Sequence, residues 1–506
     1  MKISQSLDKN IAYLEDLFAD CGDLVKRKFP VGPSLTRFAY VIYIDGLVER
    51  QVLELSILPR LMAGALKTHE AFFNAPLSLL ETLKDGGMTT ADLREEADMD
   101  NIVKMVLSGD TALLVDGSEK GIIIATRGWP NRGVPETGIE VVVQGSNESF
   151  TDIMRFNTSQ LRRRVKDTRF KIKQSTVGRR TRTDIAVCYV QDIVRPEVLA
   201  TVLERLENID IDGIYDAGGL EELIEEDIGS PFAQCQITER PDKAASGLLE
   251  GRVAILVDNS PTAILIPATI NSFFQASEDY SQGWEIMSFV RLLRFAAAFF
   301  ALALPGLYIA ITTFHPNMLP GMLAFKMAAA RDAIPIPAVM EILIMEFAFE
   351  LLREAGIRLP RPVGSSIGII GGLIVGEAAV SAGIVSPLVV IVVALTGIAS
   401  FAIPNYALVS AFRLTKYLVI ALSAALGIFG FWAALILILT HLASLKSFGL
   451  PYLYPFASGS FTGYTDLKDS LFRAPVIFMK KRPIYANPNQ SVRQDSSKLG
   501  NLRAKE

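Results

Sequence analysis

The sequence predicts an α/β head of two related subdomains followed by an all-α polytopic membrane domain of about four or five spans. Three observations carry that reading. Charge is unevenly spread: residues 295–445 hold only 13 of the 104 charged residues in the chain. Three charge-free runs, 295–325, 378–412 and 417–445, each exceed the roughly 20 residues that cross a bilayer as a helix. Ahead of them, β-rich runs alternate with apolar residues at helical spacing, the pattern of an α/β domain. With 506 residues, half of them apolar, a single soluble enzyme core is excluded.

In the head, 38–45 is a β-rich run followed by a helical pattern over 49–62, and 185–192 is another, followed by 196–206. Residues 112–118 (Ala-Leu-Leu-Val-Asp-Gly-Ser) are answered by 254–260 (Ala-Ile-Leu-Val-Asp-Asn-Ser), so the offsets are 147 and 142. Such an echo predicts two related subdomains, 1–150 and 151–290; generic strand-turn pairs of any α/β fold are the alternative. Both Asp-Gly-Ser and Asp-Asn-Ser read as hairpin turns rather than ligand sites. A basic segment from Arg155 to Arg182 joins the subdomains. It reads as a solvated helix that balances an acidic domain, with an anion clamp as the sharper alternative.

Composition excludes several functions. Residues 1–294 carry −11, 295–445 carry +1 and 446–506 carry +6. So acidic a head does not suit nucleic acid, whose phosphates need basic surface. Cys21, Cys188 and Cys235 show no pair spacing for a disulfide framework or a zinc site and read as reduced. Nucleotide-binding, nucleophile-elbow and zinc-protease motifs do not occur in the sequence, and His69, His315 and His441 stand apart. No catalytic residue, cofactor or metal is expected. The start of the chain has no apolar export core, so the head is expected to stay cytoplasmic, with the first span acting as the insertion signal.

The membrane domain, 291–445, reads as spans over 295–314, 387–402 and 417–440, a glycine-rich candidate over 363–380, and an apolar stretch over 333–352 that holds Glu341, Glu346 and Glu350. A cytoplasmic head and a basic cytoplasmic tail, 446–506, ask for an even number of crossings. Four spans satisfy that only if the glutamate helix does not cross, and the sequence leaves the count open. Each charge in hydrocarbon costs about 2.5–3.5 kcal/mol, so this helix belongs at the interface or inside an assembly. Arg353, three residues after Glu350, is placed to pair with it. Glu341, Glu346, Glu350 and Arg353 read as an interfacial elbow between head and membrane, or as a cation vestibule.

Several ordered motifs carry a resemblance. These are Ser230-Pro231-Phe232, Thr238-Glu239-Arg240-Pro241-Asp242-Lys243, 251–258 (Gly-Arg-Val-Ala-Ile-Leu-Val-Asp), 288–295 (Ser-Phe-Val-Arg-Leu-Leu-Arg-Phe), 350–360, 371–376 and 467–475 (Leu-Lys-Asp-Ser-Leu-Phe-Arg-Ala-Pro). Over roughly 30–480 the chain resembles the GerA family, the A subunits of bacterial spore germinant receptors. The resemblance implies a cytoplasmic head, the spore inner membrane, a transporter-like B subunit and a lipoprotein C subunit as partners, and a homo-oligomeric ring, a pentamer, that forms a nutrient-gated ion channel. It extends to an A-type paralogue that amplifies germination rather than senses nutrients.

Four or five spans are too few to enclose a path, so a pathway would lie between protomers. Gly364, Gly368, Gly372 and Gly376 form a small-residue stripe suited to close helix packing. Beside it Leu373, Glu377 and Val380 share a second face. Gly372, Leu373, Gly376, Glu377 and Val380 are therefore the candidate pore lining, with Leu373 as the constriction and Glu377 favouring cations. A non-conducting scaffold that docks a transporter-like partner, and a secondary transporter using Glu377, are the alternatives.

Overall fold

The computed structural model describes residues 1–31, 37–49, 51, 53, 93–128, 138, 140–142, 144–332, 334–358, 372, 374–457 and 464–494. The chain divides into two compact units, one made of Met1–Ile224, Cys235–Pro267 and Lys480–Glu506, the other of Glu225–Gln234 and Ala268–Met479.

The first unit is α/β. Helix α1 (Leu7–Leu17) buries Leu7, Asn10 and Leu14, one face at helical spacing. Strands β1 (Leu24–Val31), β2 (Arg37–Ile44), β3 (Leu93–Glu96), β4 (Thr111–Val115) and β5 (Gly121–Ile124), with helix α2 (Met99–Leu107), complete the first sheet region, in the order β1-β2-β4-β5-β3. Asp98 caps α2 by accepting from the Asp100 N–H at 3.2 Å. Every residue of β4 and β5 is buried, as expected of central strands covered on both faces.

A second sheet follows with the same order, β6-β7-β9-β10-β8. Its strands are β6 (Phe170–Val177), β7 (Thr183–Val190), β8 (Gln236–Thr238), β9 (Val253–Val257) and β10 (Ala263–Ile266), and its helices are α3 (Met154–Arg164), α4 (Pro196–Glu207), α5 (Ala217–Ile224) and α6 (Pro241–Leu249). The correspondence reaches single hydrogen bonds. Asn10 accepts from the Ser4 N–H at 2.9 Å and donates to the Ser4 carbonyl at 2.7 Å. Asn157 does the same with Thr151, at 2.8 and 2.6 Å. Asp116 accepts from the first N–H of α1, at Leu7, and Asp258 from the first N–H of α3, at Met154, over 3.2 and 3.0 Å. These two aspartates close β-turns as expected, and they also neutralise the positive ends of helices.

The basic segment is neither a bare solvated helix nor an open clamp, because its arginines bind carboxylates of the same unit. Arg162, buried, makes a two-point pair with buried Asp23 at 2.9 Å for both bonds, and also donates to the Phe170 carbonyl at 2.8 Å. Arg155 pairs with Asp45 at 2.7 Å, Arg163 and Arg164 both grip Glu148, and Arg169 takes Asp167 and Asp192 at 2.8 and 2.6 Å. The segment fastens the second sheet region to the first.

Residues 480–494 also belong to this unit. The Asn487 N–H donates to the Ile193 carbonyl at 2.7 Å, Arg195 donates to the Ile484 carbonyl at 2.6 Å, and Ala486 lies in the core of the second sheet. At Gly251, φ is +97°, and a Cβ would lie 2.6 Å from Ala486 Cα, so only glycine lets the tail in. The 446–506 tail thus divides, its first part falling in the second unit.

The second unit is mostly helical: α7 (Ile270–Phe274), α8 (Trp284–Ile309), α9 (Gly321–Arg331), α10 (Ala338–Arg358), α11 (Pro387–Phe401), α12 (Tyr406–Leu426) and α13 (Ile428–Ser444), besides a helical stretch over 374–381. Among the described residues, two helices are long and apolar enough to cross a membrane: Trp284–Phe314, 31 residues including a π turn after α8, and Tyr406–Leu426, 21 residues. Helices α11 and α13 are apolar but shorter, 15 and 17 residues. The span expected over 417–440 is corrected. The chain turns at Gly427, where φ is +60° and a Cβ would lie 2.8 Å from Phe314, and α12 begins eleven residues earlier, running through Arg413 and Lys416. Hydropathy cannot see a one-residue reversal, and it reads paired charges as boundaries.

Candidate functional site

Buried charge inside the helical unit is the feature that demands explanation, since an isolated charge there costs several kcal/mol. Helix α10 supplies the acids and α12 the bases. Two acids four residues apart face two bases three residues apart in the sequence, and both pairs close. Glu346 pairs with Lys416, both nearly inaccessible, at 1% and 5% side-chain exposure. Glu350 pairs with Arg413 through two bonds, the Nε one at 3.1 Å. Glu341 points elsewhere, as its position on the helix requires. It is fully buried, accepts the Ser386 N–H at the start of α11 at 2.8 Å, and faces Arg331 at 3.3 Å. A carboxylate at a helix N-terminus compensates that helix's dipole.

Arg353 corrects an expectation. It does not take Glu350, which Arg413 already holds in two-point geometry. Its Nη2 donates instead to the Ser400 hydroxyl at 2.8 Å, and its guanidinium lies between the rings of Phe349 and Phe401, 5.3 and 5.1 Å from their centroids. Its buried Nε and the Oε1 of Glu346 have no partner.

Of the candidate pore residues, Leu373 lies outside the described residues, with Gly364 and Gly368 of the stripe. Gly372 is exposed, and Gly376 is buried, its Cβ position 3.2 Å from Val390 of α11. Val380 packs against the buried cluster around Val389 and Val393. Glu377 is exposed. The structure therefore sets Val380 with Gly376 on the packed side, one helical turn apart, and leaves Glu377 off that side.

The motifs quoted from the sequence prove to be anchors. In the first unit, buried Arg240 binds Asp242 and the carbonyls of Glu140 and Ser146 at 2.9, 3.0 and 2.7 Å. Buried Arg252 donates to Gln236 and the Pro267 carbonyl at 2.7 and 3.0 Å. In the second, Asp279 is fully buried between Arg291 and Arg294, at 2.8 and 2.7 Å, while Arg291 also reaches Asp469 at 2.6 Å. Ser230 bonds His441 at 2.8 Å. Sequence reasoning missed Arg413 and Lys416 as partners. The available signal was two bases inside an apolar run that could face two glutamates on an equally apolar helix.

An α/β head of two like sheets, joined in one chain to a mostly helical unit with two helices of bilayer length among the described residues, defines a two-unit protein with a large folded head. More narrowly, the chain belongs to the GerA family of spore germination proteins. The family model described as Bacillus/Clostridium GerA spore germination protein matches residues 12–485. The chain is 40% identical to spore germination protein KA of Bacillus subtilis (strain 168), over 97% of this chain and 89% of that one. It is 39% identical to spore germination protein B1 of the same organism, over 98% and 100%. It is also similar, at 28% identity and a TM-score of 0.41, to the N-terminal domain of the A subunit of the Bacillus megaterium spore germinant receptor GerK3, covering 53% of this chain and 98% of that one.

Proposed function

We propose that this chain is the A subunit of a spore germinant receptor, and that identical protomers assemble as a ring, a pentamer, into a nutrient-gated cation channel of the spore inner membrane. Its partners are a transporter-like B subunit and a lipoprotein C subunit, with lipid around the helical unit. Gly372, Leu373, Gly376, Glu377 and Val380 lie at or beside the path, and Glu341, Glu346, Glu350 and Arg353 hold the neighbouring helix. One observation carries the reading. Glu341, Glu346 and Glu350 each have a partner inside the unit, whereas Glu377 is exposed on an apolar helix and pairs with no base among the described residues. A carboxylate so placed is expelled by lipid at about 2.5–3.5 kcal/mol and needs water or another protomer beside it. A path between protomers supplies both.

Residues 480–494 fold with the head. That packing supports a reading in which head and tail share one side of the membrane, the cytoplasmic one, with an even number of crossings between them.

Potassium flux through proteoliposomes holding the full chain tests the channel. Wild type shows at most a low basal flux, Leu373→Ala raises it because the hydrophobic barrier of a closed pore weakens, and adding Glu377→Gln lowers the cation preference of that leak over anions. Absence of flux in both wild type and Leu373→Ala favours a scaffold. Substrate-coupled uptake without conductance, lost in Glu377→Gln, favours a transporter.

A further inference from the structure

Helix α8 with its π turn runs for 31 residues, about 46 Å at 1.5 Å per residue. A bilayer is about 30 Å thick in its hydrocarbon and about 40–45 Å with its head-group layers. The charge-free part, 295–314, already matches the hydrocarbon, so the three turns before it need another environment. In sequence they look polar, because Arg291 and Arg294 stand there. In the structure both arginines turn inward, buried against Glu278, Asp279 and Asp469, and the unpartnered donors Arg291 Nη2 and Arg473 Nε are enclosed as well. What faces outward is apolar. Ile286, Phe289, Leu293, Ala296 and Phe300 are all exposed and follow one another at steps of three and four, a single stripe that continues unbroken into the charge-free part.

A second element lies beside the stripe. The Arg473 N–H donates to the Ser288 hydroxyl at 3.1 Å, Asp469 takes Arg291 at 2.6 Å, and Asn271 and Gln275 donate to the Asp469 carbonyl at 3.2 and 2.8 Å. This segment is thus tied to the start of α8 by its polar side. Outward it shows Phe472, Val476 and Phe478, at 58%, 50% and 59% exposure, with exposed Lys468 ahead of them.

We propose that residues 467–478, seated on the first three turns of α8, are an interfacial anchor whose outer face lies at the boundary between the head groups and acyl chains of a bilayer. The stripe points to lipid as the occupant, since it is continuous with the face that a spanning α8 turns to hydrocarbon. Exposed Trp284 stands where aromatic side chains collect at membrane–water boundaries, and Lys468 is placed to reach head-group phosphates while its stem stays on apolar surface. An apolar face of this kind sinks about 5–10 Å into the head-group boundary. The proposal rests on the reading that the helical unit spans a membrane, and not on the pore.

The full chain reconstituted in phosphatidylcholine–phosphatidylglycerol vesicles tests it, with cysteines introduced one at a time and labelled with an environment-sensitive fluorophore; the native thiols are buried. Labels at Phe472→Cys and Phe478→Cys should lose more emission to a lipid nitroxide near the head group than to one near the chain end. Leu418→Cys, exposed near the middle of α12, should show the reverse order, and Glu15→Cys, exposed on the head, should respond to neither. If one anchor variant does not reconstitute, the other decides. Quenching at 418 with none at 472 and 478 overturns the anchor while the membrane reading stands. If those two labels are then also shielded from a soluble quencher, protein covers the face, a second copy or another partner, and the anchor falls equally. No quenching at 418 overturns the membrane reading itself.

Discussion

At the scale of single residues, the molecule solves one problem repeatedly: a charge placed where water is scarce is matched by a partner from another element. Lys416→Met removes one such partner and leaves Glu346 buried and alone. Breaking a buried pair this way costs about 3–5 kcal/mol, so the thermal midpoint of the full chain in detergent should fall steeply. Adding Glu346→Leu should restore most of it, because two apolar side chains need no pairing; a double variant as unstable as the single one would refute this account. Glu148 offers a test by pH. Burial alone would raise its carboxyl, but Arg163 and Arg164 outweigh that and hold it below its ordinary value. A depressed pKa contributes stability above the unfolded value, about 4.3, and loses it as pH falls through the folded value. Protection of α3 against hydrogen exchange, corrected for intrinsic rate, should therefore drop below about pH 4, and Glu148→Gln should flatten that drop. An unchanged profile in the variant would assign the transition to other groups.

Elements show where pattern reading succeeds and where it stops. Strand runs and their apolar faces were legible, because a strand buried on both faces has little freedom in composition. The echo between 112–118 and 254–260 was legible too, though not the reason for its aspartates, each of which caps a helix that starts about a hundred residues earlier in sequence. Helix boundaries in the apolar region were poorly legible, because Gly427 reverses the chain inside an unbroken hydrophobic run. Gly427→Ala places a Cβ in a left-handed conformation and against Phe314, which should cost about 1–2 kcal/mol and show as a lower thermal midpoint. Asp469→Asn tests the anchor at the start of α8. Arg291 keeps Asp279 but loses the charge of its second partner, so the 464–473 segment should become the first site of limited proteolysis. Cleavage there at the wild-type rate would show that Arg291 does not hold the segment.

For the whole molecule, the parity of crossings is open to direct measurement. Cysteines placed singly at exposed Glu15 and Gln490 should both resist an impermeant maleimide in intact cells and both react after permeabilisation. The native thiols should not interfere, since all three are buried and burial raises those of Cys21 and Cys188. Labelling of position 490 alone from outside would make the count odd. By itself the sequence determined the division into an acidic α/β head and an apolar helical region, the paired β-rich runs and the family, because composition and local periodicity answer directly to solvent: apolar surface must be covered and exposed charge is tolerated. Only the tertiary structure decided which charge meets which. Glu350 went to Arg413 instead of Arg353, Arg162 to Asp23 across 139 positions, and residues 480–494 to the head. Such pairings depend on geometry brought together over long separations, and a buried charge does not record in its own neighbourhood the partner that makes its burial possible.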